Sequence, residues 1–133
     1  MTAREITVLT DVSLITCIVQ RGAAEAVIQA AREAGAQGAT IHFARGTGVR
    51  ERLGILGIAV DVEKEVIQIV VSADQQDHVF ERMYLAGDLD TPGKGIMYVT
   101  PLEKAATHIP REVLARLGIA PSGERGGKIG DVA

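Results

Sequence analysis

Tryptophan is absent from the 133 residues, and two Phe and two Tyr make up an aromatic share of only 3%. Single-stranded nucleic acid is held largely by stacking on aromatic faces, so this chain lacks the material for such a platform. An excess of positive charge is also missing. Fourteen Lys and Arg against seventeen Asp and Glu leave a formal charge of -3, which gives no electrostatic footing for general nucleic-acid binding and leaves room only for local basic patches. Cys17 is the single cysteine, so no intrachain disulfide can form. No apolar run approaches 18 residues and no secretory h-region opens the chain, so the sequence reads as cytoplasmic. HExxH, CxxC and any Ser/His/Asp spacing that would argue for catalysis are likewise missing.

What is present is the composition of one soluble domain, 47% hydrophobic and 23% charged. "SLITCIVQ" (13–20) is an apolar, β-branched run and reads as a strand, with Cys17 on the face of Ile15 and Val19 as a small buried hydrophobe. "GAAEAVIQAAREAGAQG" follows with Val27, Ile28, Ala31 and Ala34 at helical spacing, and Gly35 stands where a helix end takes left-handed backbone. "GATIHFAR" (38–45) alternates Ala39, Ile41 and Phe43 against Thr40, His42 and Ala44, the period of a strand. "GIAVDVEKEVIQIVV" (57–71) is a further strand, expected to bulge near Glu63 and Lys64. Ser72 and Gln75 have capping-box spacing ahead of a helix that carries Val79, Phe80, Met83 and Tyr84 and stops at Gly87. "GIMYVTPL" (95–102) is the last strong strand.

The domain organisation expected is therefore an N-terminal extension or edge strand at 1–12, built on "EITVLT", and a main domain at 13–109. Pro110 then opens a short C-terminal helix at 110–118, and a glycine-rich mobile tail occupies 119–133. Strand-helix-strand twice over is the α+β, ferredoxin-like split βαβ-βαβ arrangement with an antiparallel sheet. Two helices cover one face of four strands. Yet "LITCIVQ", "VIQIVV" and "GIMYV" are apolar at nearly every position, whereas a sheet with one wet face alternates. The second face is expected to be buried against other copies of the chain.

Two glycine-rich loops invite a functional reading. "ARGTGVRERLGILG" (44–57) sets four glycines and three arginines between strands. Gly46 and Gly48 begin a GxG, but Glu51 stands where a dinucleotide fingerprint needs glycine, and no helix follows. "GDLDTPGKG" (87–95) looks like a P-loop, but five residues separate Gly87 from Gly93 and Gly95 occupies the place of the Mg²⁺-binding hydroxyl. Phosphoryl transfer is rejected. Glycine backbone with Lys94 still suits a phosphate- or carboxylate-bearing ligand, and two plain turns with solvated cations stand beside that reading. His42, His78 and His108 lie in separate elements, and Asp88 and Asp90 are read as turn residues rather than a cation site. Leu53, Ile55 and Leu56 make the tip of the first loop apolar, as a docking surface or as a segment packed back on the assembly. Nothing reads as an enzyme.

The order of these elements, with "GAQGATI" entering the second strand, Gly-x-Gly at 46–48, "IQIVVSADQ" running into the second helix and "AGDLDTPGKGIMYV", resembles the PII nitrogen-regulatory protein family over about residues 13–109. The resemblance implies a homotrimer that senses a small effector, an adenine nucleotide such as ATP, ADP or AMP, in clefts between subunits. It implies a signal-transduction protein with no obligatory cofactor and no metal, acting on a regulated partner such as a membrane transporter or nitrogen-metabolism protein. A partner of that kind would recruit it to the inner face of the membrane. By position Thr40 would approach the adenine, Gly46, Thr47 and Gly48 would line the cleft, and Ile18 and Val70 would form its apolar wall. Gly93, Lys94 and Gly95 would close over the phosphates from the neighbouring subunit. Arg50, Glu51, Arg52, Leu53 and Ile55 would form the partner-facing tip. The chain departs from the family pattern in three places. Residues 46–57 hold no tyrosine for uridylylation, "KAATHIP" supplies Lys104 and His108 in place of paired arginines, and Lys94 lies one place from the usual lysine. Arg50, Arg52 and Lys94 would take over the phosphate contact or serve another anion. The alternative from a different class is a ferredoxin-like metal-binding trimer or small enzyme using Asp88, Asp90, His78 and His108.

Overall fold

The structure, a computed structural model, describes residues 4–47, 62–108, 112 and 128–132. In chain order its elements are β1 (Arg4–Leu9), β2 (Val12–Gln20), α1 (Ala24–Glu33), β3 (Thr40–Gly46), β4 (Val62–Ser72), α2 (Ala73–Ala86), β5 (Gly95–Leu102), β6 (Ala105–Ala106) and β7 (Lys128–Val132). They form two compact units, Ser13–Thr100 and Met1–Val12 with Pro101–Ala133.

The larger unit is a four-stranded sheet in the order β3-β4-β2-β5. Each pair of strands joined by a helix is split by a strand of the other pair, which is the ferredoxin-like order expected from the sequence. β3 and β4 run antiparallel, from Thr40 opposite Gln68 to Gly46 opposite Val62. That register is continuous through Glu63 and Lys64, so the bulge expected there is not found against β3. The two charged side chains are accommodated because the strand is half-wet at this end, where Glu63 is exposed.

Alternate residues of the central strands point into one core. Ile15, Cys17 and Val19 of β2 and Ile67, Ile69 and Val71 of β4 pack with Val27, Ile28 and Ala31 of α1 and with Val79 and Met83 of α2. Eight of the larger side chains in this core are less than 2% exposed, and the Ile, Val and Met among them contribute about 1.5–3 kcal/mol each on leaving water. Cys17 is among them, as the strand period implies.

The helix ends show how local chemistry stops each element. At α1, Gly35 takes φ +109, its N–H donates to the Arg32 carbonyl at 3.0 Å, and the Ala36 N–H donates to the Ala31 carbonyl at 2.9 Å. This is a Schellman ending, and glycine removes its steric cost. α2 ends by the same pattern one residue later than expected. Gly87 keeps right-handed backbone with φ -86, and Asp88 takes the left-handed position at φ 53. Gly87 serves packing instead, since a Cβ there would lie 3.2 Å from Cγ2 of Val27 on α1. Ser72 is the N-cap residue of α2, but its side chain makes no cap hydrogen bond, so the capping box read from the spacing does not form.

In the smaller unit β1 is central, with β6 and β7 antiparallel on its two sides. The segment expected as an edge strand is thus paired along both edges. The tail, expected to be mobile, pairs over Lys128–Val132 with Arg4, Glu5 and Thr7, with an irregularity between Glu5 and Thr7. Strand pairing satisfies backbone donors and acceptors and requires no apolar period, which is why composition did not foretell it. The helix expected at 110–118 lies outside the described residues except for Glu112, which is helical. Residues 119–127 also lie outside them.

Candidate effector site

The helices occupy one face of the four-stranded sheet; the other carries the even-numbered residues of β2 and β4. Of these Val12, Thr16 and Val66 are buried, so that among the described residues large apolar exposure on this face is confined to Val70 and β5. Ile18 is half-buried there, and Val70 is 48% exposed. β5 turns Met97 and Val99 toward the core, so Ile96 and Tyr98 emerge on the open face, 57% and 46% exposed. Thr40, opposite Gln68, lies on this same face at the start of β3. The structure therefore gathers Thr40, Ile18 and Val70 on one surface, with large apolar side chains in water. Gly46 ends β3 opposite Val62, and a Cβ on it would touch the Lys64 side chain at 3.7 Å. Thr47 follows, exposed. Gly48, Arg50, Glu51, Arg52, Leu53 and Ile55 lie outside the described residues.

The 87–95 loop is wound into successive turns. The Asp88 N–H donates to the Leu85 carbonyl at 3.2 Å, the Leu89 N–H to Tyr84 at 3.2 Å, the Thr91 N–H to Asp88 at 2.9 Å and the Lys94 N–H to Thr91 at 3.3 Å. These four amides are engaged internally and do not face an anion. Any charge contact from this loop rests on Lys94, its one cationic side chain, which is half-buried. The loop joins β2 at two points. Gln20 Nε2 donates to the Gly93 carbonyl at 2.7 Å, and Gly95 sits against the Ile18 backbone with φ +150, where a Cβ would stand 2.2 Å from the Ile18 oxygen. Ile18, Gly93 and Gly95 are thus brought together, and Gln20 joins them unforeseen. Its only sequence signal is a polar side chain on the face of Ile18 at the end of an apolar strand.

At this same end of β2, on the side toward β4, charge secures the turn that follows the strand. Arg21 Nη1 donates to Glu63 Oε2 at 2.6 Å, and the Gly22 N–H donates to Glu65 Oε1. With Phe43, Ala44 and Arg45 the ion pair lines an open groove. Both partners are well exposed, so the pair is worth under about 1 kcal/mol. Burial pushes the Cys17 thiol up to about 12, which leaves it protonated and unreactive. His42, His78 and His108 are exposed on separate segments, and no group of three or more His, Cys, Asp or Glu among the described residues is placed to hold a metal. The backbone gives Asp88 a conformational task at the end of α2.

The chain matches the family model of the nitrogen regulatory protein P-II over residues 12–112, and it belongs to that family. Among solved structures it is similar to the crystal structure of Arabidopsis thaliana PII bound to citrate, with 23% identity over 71% of this chain and 79% of that one and a TM-score of 0.57. At that identity the likeness speaks for the fold. No curated protein sequence matches the chain.

Proposed function

We propose that this chain is a PII-type signal-transduction protein, not an enzyme, that works as a homotrimer and binds a small anionic effector at the seams between subunits. The observation that carries the reading is the open sheet face. Val70, Ile96 and Tyr98 are about half exposed on strands whose other side packs on the core, fully at Ile69 and Val71 and partly at Met97 and Val99, and exposed apolar surface of this kind marks an interaction surface. Family membership over residues 12–112 supports a regulatory role. Packing those faces together leaves Ile18, Thr40 and Val70 at the margins, where an adenine ring and its phosphates fit beside Gly46, Thr47 and Lys94. Citrate, bound by the Arabidopsis protein, is a second anion of suitable size and charge. The contact with the regulated partner, a transporter or nitrogen-metabolism protein in the cytoplasm, is assigned to Arg50, Arg52, Leu53 and Ile55 on their charge and apolar character alone. No helix among the described residues is long and apolar enough to cross a membrane.

Titration calorimetry with ATP, ADP, AMP, cyclic nucleotides and citrate tests the reading. One of them binds tighter than millimolar, and Lys94→Ala weakens it about tenfold or more, the effect of a lost charge-assisted contact. Weaker binding by all of them removes the effector reading. The metal-binding alternative predicts stoichiometric metal in the purified protein, read by elemental analysis.

A further inference from the structure

The contacts between β2 and the 87–95 loop fix more than the loop's position. A trans peptide group holds its C=O and N–H in one plane on opposite sides, and none of the described peptides is cis. The peptide joining Gly93 to Lys94 is restrained on both. Its carbonyl accepts from Gln20 Nε2 at 2.7 Å, and its N–H donates to the Thr91 carbonyl at 3.3 Å. The carbonyl can only accept, so the amide nitrogen of Gln20 must be the group that faces it. One residue further on, Gly95 is held against the Ile18 carbonyl, with no room for a side chain. The backbone of Lys94 is therefore fixed on both flanks. On the N-terminal flank the shorter of the two bonds comes from a side chain 73 residues distant in sequence from Gly93, the other being the local turn bond to Thr91.

We infer that Gln20 is a positioning residue for effector binding: by holding the Gly93–Lys94 peptide it aims the Lys94 ammonium at the anionic group of the ligand. This rests on the reading of Lys94 as the anion contact. Gln20 need not touch the ligand, and its influence passes through the peptide plane. Without the Gln20 donor the plane keeps only the longer 3.3 Å bond from the Lys94 N–H to Thr91 and can rock about the flanking bonds, because Gly93, at φ +82, has access to both halves of the dihedral map. Lys94 then samples several directions, and binding must first select one of them.

Three variants at position 20 and one at 94 test this, with ADP and citrate as calorimetric probes and thermal unfolding alongside. Gln20→Met keeps bulk and reach but has no donor, whereas Gln20→Lys restores a donor. If Gln20→Met does not fold, Gln20→Asn, whose amide falls short of Gly93, takes its place. Gln20→Met is expected to weaken binding about threefold to tenfold, the range of one hydrogen bond, and Gln20→Lys to stay within about twofold of the unsubstituted protein. In a Lys94→Ala background the Gln20→Met effect disappears, since the group being aimed is gone. A merely structural role predicts the same loss in both backgrounds, and that outcome overturns the inference. So does unchanged binding in Gln20→Met when the unsubstituted protein binds. If the unsubstituted protein binds neither these probes nor the other nucleotides, the effector reading itself fails and this inference fails with it.

Discussion

Gly95 passes beneath the carbonyl of Ile18 so closely that a Cβ at position 95 would stand 2.2 Å from the oxygen. The obstacle is backbone at the middle of the sheet, so it cannot swing aside as a flexible side chain would. At φ +150 a side chain is also conformationally strained. Gly95→Ala is expected to destabilise the fold by at least about 2 kcal/mol, read as a lowered urea midpoint. An unchanged midpoint would mean that β5 does not start against β2 as described.

Asp88 holds the left-handed position after α2 at φ 53, where a Cβ carries a steric cost. Asp88→Gly relieves it and is expected to stabilise by roughly 0.5–1 kcal/mol, after allowance for the greater freedom of glycine in the unfolded chain. Replacing the neighbouring glycine has the opposite effect. Gly87→Ala pushes a methyl to 3.2 Å from Val27, which is fully buried between the helices and has no free side to yield toward, so it is expected to lower stability. Thermal midpoints of the two variants should therefore move in opposite directions.

How far the sequence could be read depends on whether a feature's cause is local. The four strands and two helices of the larger unit were legible because Ile15, Cys17 and Val19, or Val79 and Met83, repeat with the period of the element that buries them. Gly35 was legible because few residues other than glycine adopt its backbone. Ser72 misled, since S-x-x-Q spacing permits a capping box without requiring one. Gly87 misled too. Two adjacent residues were able to end α2, and contact with Val27, a tertiary fact, decides which of them must be glycine. The pairing of Gln20 with Gly93, and of β7 with β1, joins parts of the chain that carry no shared pattern. Of the candidate site, the apolar wall at Ile18 and Val70 was named from the resemblance. The restraint on Lys94 depends on the long-range contact of Gln20 with Gly93, which no local pattern announces.

Cys17 makes a separate expectation about pH. Its thiol rises from an ordinary 9.0 to about 12 because burial disfavours the thiolate. Between those values the unfolded chain loses the proton and the folded chain keeps it. The folded state therefore binds more protons, and stability falls as pH climbs from about 9 toward about 12. Below pH 9 this contribution is flat. In the native protein a thiol reagent at neutral pH should react only as fast as global opening exposes the strand, and urea should accelerate it. Rapid labelling in the absence of denaturant would contradict the burial of β2.

The open face yields the prediction on which the proposed assembly depends. Val70 and Tyr98 are 48% and 46% exposed in one chain, so an aspartate at either place costs an isolated chain little. Packed against the same face of two other copies, that carboxylate would lose its water without gaining a partner, a penalty of several kcal/mol per ion. Threefold symmetry repeats it three times in one assembly. Val70→Asp and Tyr98→Asp are therefore expected to reduce the mass in light scattering from three chains to one while the circular dichroism of the fold is retained. Effector binding should fall with the assembly, because the seams that would hold the ligand exist only between copies. Phe43 supplies the control. It is 74% exposed at the edge of the helix-covered side, so Phe43→Asp should leave a trimer built through the open face intact. If Phe43→Asp dissociates the assembly and Tyr98→Asp does not, the subunits meet through the β3 edge. If the unsubstituted protein runs as a lone chain at micromolar concentration, both the assembly and its ligand seams are ruled out.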